Sequence, residues 1–172
     1  QPLLLEHIPA LGPLPRILRT LSVSSNSSAA TLGLLKILNP ISGNNNCVES
    51  LSKLECIGPI ANVIRHHPEH TTIGLETLEK IISSGTGTEE LSQQSIQVEL
   101  VPQLLKLLEE SAHPHLTPSG RALIVSILKT LAGSRLNGNR VLALLDQSPC
   151  WASYRDQRHD LFLQASGSAL PV

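Results

Sequence analysis

Apolar positions recur along the chain in stripes of helical spacing, and each stripe begins beside a proline. Leu14, Ile17, Leu18 and Leu21 follow Pro13; Ile60, Val63 and Ile64 follow Pro59; Val101, Leu104, Leu105 and Leu108 flank Pro102. Offsets of three and four residues put such side chains on one face of an α-helix. Proline fixes φ and lacks an N–H, so it fits the first turn of a helix and disfavours helix in the residue before it. The parse is therefore a sharp turn, a proline and a helix, three times over.

Each of these helices is followed by a polar gap and a second apolar stripe. The gaps are Ser22–Ser28, His66–Thr72 and Glu109–Thr117. The second stripes are Leu34, Leu35, Ile37 and Leu38, then Leu75, Leu78, Ile81 and Ile82, then Ile124, Ile127, Leu128 and Leu131. Breakers follow them at Asn39-Pro40, Ser83-Ser84-Gly85 and Gly133-Ser134. A shorter helix is predicted before each later proline, over Cys47–Leu54, Glu89–Leu100 and Arg140–Leu145. Thr88 reads as the N-cap of the second, with Glu89 and Glu90 at its positive end.

The proline-to-proline steps are 46, 43 and 47 residues, ending at Pro149. Armadillo and HEAT repeats have periods of about 40–47 residues. The predicted fold is thus all-α: an armadillo/HEAT-like helical-repeat solenoid of about three units plus a C-terminal capping helix. One domain is expected over residues 1–163, with 164–172 a small, polar, disordered tail. The cap is the amphipathic stretch Trp151–Leu163, which holds Trp151, Tyr154 and Phe162, all the aromatics of the chain.

Composition agrees with stacked helices. Of 172 residues 32 are Leu and only 2% are aromatic, which does not suit a β-sandwich. Thirteen basic side chains face fourteen acidic ones, net −1, so neither a basic surface nor a stacking platform for nucleic acid is expected. No apolar run approaches the ~20 residues of a membrane span. No charged segment precedes Leu3–Leu5 as a signal peptide would require, and the absence of Met suggests a fragment or processed piece. Cys47, Cys56 and Cys150 cannot all pair within one chain and read as reduced thiols.

Candidate chemistry does not converge. His66, His67 and His70 with Cys47 and Cys56 lack the close paired spacing of a zinc site and read as residues of an exposed loop. Ser83–Thr88 lacks the Lys-Ser/Thr ending and preceding strand of a phosphate loop. No Gly-x-Ser-x-Gly elbow occurs, and the adjacent pairs Glu89-Glu90 and Glu109-Glu110 point apart on a helix. Asn26-Ser27-Ser28 is a formal glycosylation sequon. No catalytic, cofactor-binding or metal-binding residue is singled out, no cofactor is expected, and the chain reads as non-enzymatic. Two features read as protein-binding. Lys36, Lys80 and Lys129 hold similar places on the three long helices and would line a groove. Asp160, Leu161 and Phe162 form a short acidic-aromatic motif of the kind that docks on adaptors.

The chain resembles the C-terminal region of the endosomal DnaJ-type scaffolds of the receptor-mediated endocytosis eight family. Four blocks carry the resemblance: residues 1–12 (Gln1-Pro2-Leu3-Leu4-Leu5 onward), Ile57-Gly58-Pro59, Leu100 to Glu109, and Asp156 to Phe162. It implies a non-enzymatic interaction segment of a co-chaperone in endosomal sorting, recycling and receptor-mediated endocytosis, on the cytoplasmic face of early and recycling endosomes. The implied partners are sorting nexins, retromer and the WASH machinery, with a heat-shock cognate ATPase reached only through a J domain that this sequence lacks. Membrane association would be indirect. His67-Pro68-Glu69 looks like the J-domain His-Pro-Asp tripeptide but reads as a turn between repeat helices. The other role for such a stack is a structural spacer with no partner of its own.

Overall fold

A computed structural model describes residues 13–23, 27–110 and 114–152. Among these residues are the α-helices α1 Pro13–Leu21, α2 Ser28–Ile41, α3 Asn45–Lys53, α4 Ile57–His66, α5 Thr71–Ile82, α6 Thr88–Gln97, α7 Leu100–Glu109, α8 Pro118–Ala132 and α9 Gly138–Asp146, and residues 149–152 are helical as well. A 3-10 turn, Pro68–His70, joins α4 to α5. Among the described residues there is no strand.

The apolar stripes fold inward as their spacing dictates. Leu14, Leu18 and Leu21 of α1, Ile60, Val63 and Ile64 of α4, and Val101, Leu104, Leu105 and Leu108 of α7 are buried. The long helices bury Leu35 and Leu38, then Leu75, Leu78, Ile81 and Ile82, then Ile124, Ile127, Leu128 and Leu131. All belong to one continuous core that ends at Trp151. Ile37 departs from the expected stripe and is 53% exposed, because α2 buries a narrower face than its apolar content covers.

Several boundaries differ from the sequence reading. α4 and α7 begin two residues before their prolines, at Ile57 and Leu100. Pro59 and Pro102 still fall in the first turn, where backbone N–H groups lack intrahelical partners. α2 runs through Pro40 to Ile41: the missing Pro40 N–H forfeits one bond, and the Ser42 amide closes the last turn on the Leu38 carbonyl at 3.1 Å. Thr88 is the first helical residue of α6 rather than its cap; Gly87, at φ 63°, occupies the cap position. A Cβ there would also lie 2.5 Å from Ser52 Oγ, so glycine is needed on two counts. The helix expected through Leu100 ends at Gln97, and Glu99 turns the chain at φ 58°. Glu55, at φ 57°, does the same between α3 and α4. A left-handed non-glycine residue costs roughly 1–2 kcal/mol, and the chain tolerates it at the same place in two successive units.

Helices of like position pack together. α1 packs on α4 and α4 on α7; α2 packs on α5 and α5 on α8; α3 packs on α6. Polar side chains tie these neighbours across a nearly constant sequence interval. Asn39 Nδ2 donates to Thr77 Oγ1 (3.1 Å), Arg65 Nη2 to Gln103 Oε1 (3.0 Å) and Gln103 Nε2 to the Ala61 carbonyl (2.9 Å). Those three ties join residues 38, 38 and 42 positions apart. The residues 153–163 of the expected cap and the tail 164–172 lie outside the described residues. Trp151 and Ala152, the described part of that cap, are helical, and Trp151 is buried.

Candidate functional site

The three lysines of the long helices are all exposed. Lys80 is engaged: its Nζ donates to Asn39 Oδ1 (2.6 Å), tying α5 to α2. Neither Lys36 nor Lys129 has an ion-pair partner among the described residues. Asp160, Leu161 and Phe162 lie outside the described residues, so the structure brings nothing to that motif.

Concavity is found on the other row of helices. A depression of about 660 Å³ lies between α1 and α4 and reaches the C-terminal ends of α3 and α6. A second, of about 410 Å³, lies between α4 and α7 and shares Arg65 with the first. A third, of about 350 Å³, lies between α7 and the chain after α9 and shares Pro102 and Lys106 with the second. Sequence reasoning missed Arg19 and Arg65 as wall residues. A signal was present: each stands six positions after its proline, Pro13 or Pro59.

The histidine cluster is not the exposed loop that the sequence suggested. His70 is buried at 8% exposure and His67 is half-buried; His66 is exposed. The reason is a hydrogen-bonded knot with the start of α2. His70 Nε2 lies 2.9 Å from both Ser28 Oγ and the Ser28 carbonyl, and Ser28 Oγ donates to Glu69 Oε2 at 2.6 Å. The carbonyl only accepts, so the hydrogen-bond pattern assigns the proton to Nε2. That nitrogen then has no lone pair to act as a base toward Ser28, although serine, histidine and carboxylate have met. The Ser28 hydroxyl chiefly holds the Glu69 carboxyl below its ordinary range. Among the described residues no group of three or more His, Cys, Asp or Glu could hold a metal ion.

The thiols are shielded. Cys47 and Cys56 are fully buried, and burial pushes the Cys56 thiol up to about 12. Burial also raises Cys47 and Cys150. A protonated thiol is a poor nucleophile and a poor metal ligand.

Glu89 stands in the first turn of α6, as expected of a helix-end charge, and has a further role. Its carboxylate accepts from the Ser134 hydroxyl and from the backbone N–H groups of Arg135 and Leu136, both at 3.0 Å. It thereby fastens the start of α6 to the turn between α8 and α9. The Ser134 hydroxyl, followed by the Leu136 and Arg135 amides, holds its carboxyl below the ordinary 4.5. A depressed carboxyl stabilises the fold above its unfolded value and loses that contribution as pH falls through the folded one. Glu89→Gln is therefore expected to melt below wild type from pH 8 down to about pH 5, with the gap closing below about pH 4. Circular-dichroism melts across pH, with Glu90→Gln as the exposed control, check this; a pH-independent gap would contradict it.

The described molecule is thus of the all-helical, side-by-side-packed class, with its polar side chains spent on tying helices together. No helix among the described residues is long and apolar enough to cross a membrane. The chain is similar to DnaJ homolog subfamily C GRV2 of Arabidopsis thaliana, 27% identical over 152 residues, covering 78% of this chain and 6% of that protein. The similarity supports a distant relation to DnaJ-type proteins, and this chain spans a small fraction of that relative's length. No family model matches the chain, and no solved structure matches it.

Proposed function

We propose that the chain is a non-enzymatic protein-interaction segment of an endosomal J-domain co-chaperone scaffold, built as an armadillo-like solenoid. The similarity to a DnaJ subfamily C protein carries the co-chaperone part of this reading. The packing of like-positioned helices supports the solenoid part: α1, α4 and α7 form one file, and α2, α5 and α8 another. Such a stack offers long surfaces to partners without moving its core. The proposed setting is the cytoplasmic face of early and recycling endosomes. The proposed partners are sorting nexin, retromer or WASH components, with membrane association through them.

The test is a pull-down from cytosol with the folded chain, read by mass spectrometry. The control carries Lys36→Glu, Lys80→Glu and Lys129→Glu. Endosomal sorting proteins retained by the chain and lost in the control would support the lysine-lined face. A folded chain that retains none of them would favour the spacer reading. One observation already favours the spacer: Lys80 is held by Asn39, so part of that face serves the stack itself.

A further inference from the structure

We propose that the depression between α1 and α4 binds an extended peptide whose large apolar side chain is flanked on both sides by carboxylates. This rests on the protein-interaction reading above and supplies a site and a partner chemistry for it.

The depression is about 660 Å³, within the range of built ligand clefts. Its walls carry Leu18, Leu54, Pro59 and Val98, and Leu54 is 36% exposed. This apolar part suits one large side chain of a partner. Arg19 stands on one flanking helix and Arg65 on the other, both exposed. Neither α1 nor α4 contains an Asp or Glu. Glu55 is the single acid of the lining, so two guanidinium groups face one carboxylate. Neither arginine has an ion-pair partner among the described residues. Arg65 spends Nη2 on Gln103 and keeps its remaining N–H groups.

Guanidinium groups bind carboxylates with two parallel hydrogen bonds, so they favour aspartate or glutamate over a merely polar side chain. With one arginine on each helix, a ligand acidic on both sides of its anchor meets both. Along an extended peptide, side chains two residues apart point the same way about 7 Å apart, so acids two positions before and after an anchor share its face. The second depression lacks this bias. There Arg65 and Lys106 are balanced by Glu99 and Glu110.

The test uses the full chain and a fluorescent decapeptide with a central Leu-Phe pair flanked by two aspartates on each side. Fluorescence anisotropy is expected to give a Kd of about 10–100 μM, weakening at least threefold at high salt. Arg19→Glu and Arg65→Glu are each expected to weaken binding at least tenfold, and Leu54→Asp likewise. Arg19→Gln should fall between Arg19→Glu and wild type. Arg140→Glu, exposed on α9 and away from the depression, should leave binding unchanged. Melting curves establish that each variant is folded.

The proposal is overturned by no saturation below about 1 mM, by equal binding of a lysine-flanked peptide, or by full binding by Arg19→Glu. A concentration-dependent dimer dissolved by Arg19→Glu in sedimentation would assign the groove to a second copy. Peptide binding that appears only in Asp160→Lys would assign it to the chain's own Asp160-Leu161-Phe162. Either result would overturn the proposal as stated. Failure of the peptide assay leaves the pull-down result standing, so the two readings fail separately.

Discussion

Leu78→Ala is expected to cost the fold about 3 kcal/mol, within the usual span for a buried leucine truncated in a packed core. Leu78 has no exposed surface. Its helix, α5, packs on α2 on one side, on α8 on the other and on α4 beneath. A cavity there loosens the contact of the central long helix with neighbours on both sides, and little of the surrounding backbone can collapse into it. For a domain of this size the melting temperature should fall by roughly 6–12 °C. Leu136→Ala is the matched control: Leu136 is 77% exposed, so the same chemical change should be nearly silent. Urea unfolding of both variants checks this. A loss below about 1 kcal/mol at Leu78 would mean that α5 does not join the two sides of the stack into one cooperative unit.

That core could be read from the sequence because its information is local. Leu75, Leu78, Ile81 and Ile82 announce a buried helix face by their spacing alone, and all four are buried. The prolines marked the helix starts to within two residues, since proline's effect is confined to its own turn. Other features carry no local mark. Glu55 and Glu99 adopt left-handed backbone although glutamate is not a turn former, because packing on both sides demands a sharp exit there. Glu89 looked like a helix-end charge, and its partners lie 45 to 47 residues away. His70 looked like a loop residue and is buried by a partner 42 residues earlier. The period of the prolines was the one available guide to such pairs, and it gives the interval without the identity. The candidate surface follows the same rule. Lys36, Lys80 and Lys129 could be aligned from sequence, whereas the depressions beside Arg19 and Arg65 depend on how closely α1 and α4 approach.

Gln94→Leu is the second large effect expected, and it arises from hydrogen bonding rather than volume. Gln94 lies on α6 at 7% exposure. Its Nε2 donates to the Ser52 carbonyl, and its Oε1 accepts from the Ile57 amide at 3.4 Å. One side chain thus satisfies a carbonyl at the end of α3 and an amide at the start of α4, on either side of the Glu55 turn. Leucine fills similar space and leaves both backbone groups buried without a partner. An unsatisfied buried group costs about 1–3 kcal/mol, so a loss of about 3 kcal/mol is expected, against little for Gln97→Leu on the exposed side of the helix. Gln94→Glu separates hydrogen bonding from shape. At neutral pH its carboxylate can accept from Ile57 and repels the Ser52 carbonyl; once protonated it can donate to that carbonyl as Gln94 does. The deficit of Gln94→Glu should therefore shrink on acidification, while that of Gln94→Leu should not. Melts of the three proteins at pH 7 and pH 4.5 decide it. Equal deficits at both pH values would show that α6 holds the α3–α4 turn by shape alone.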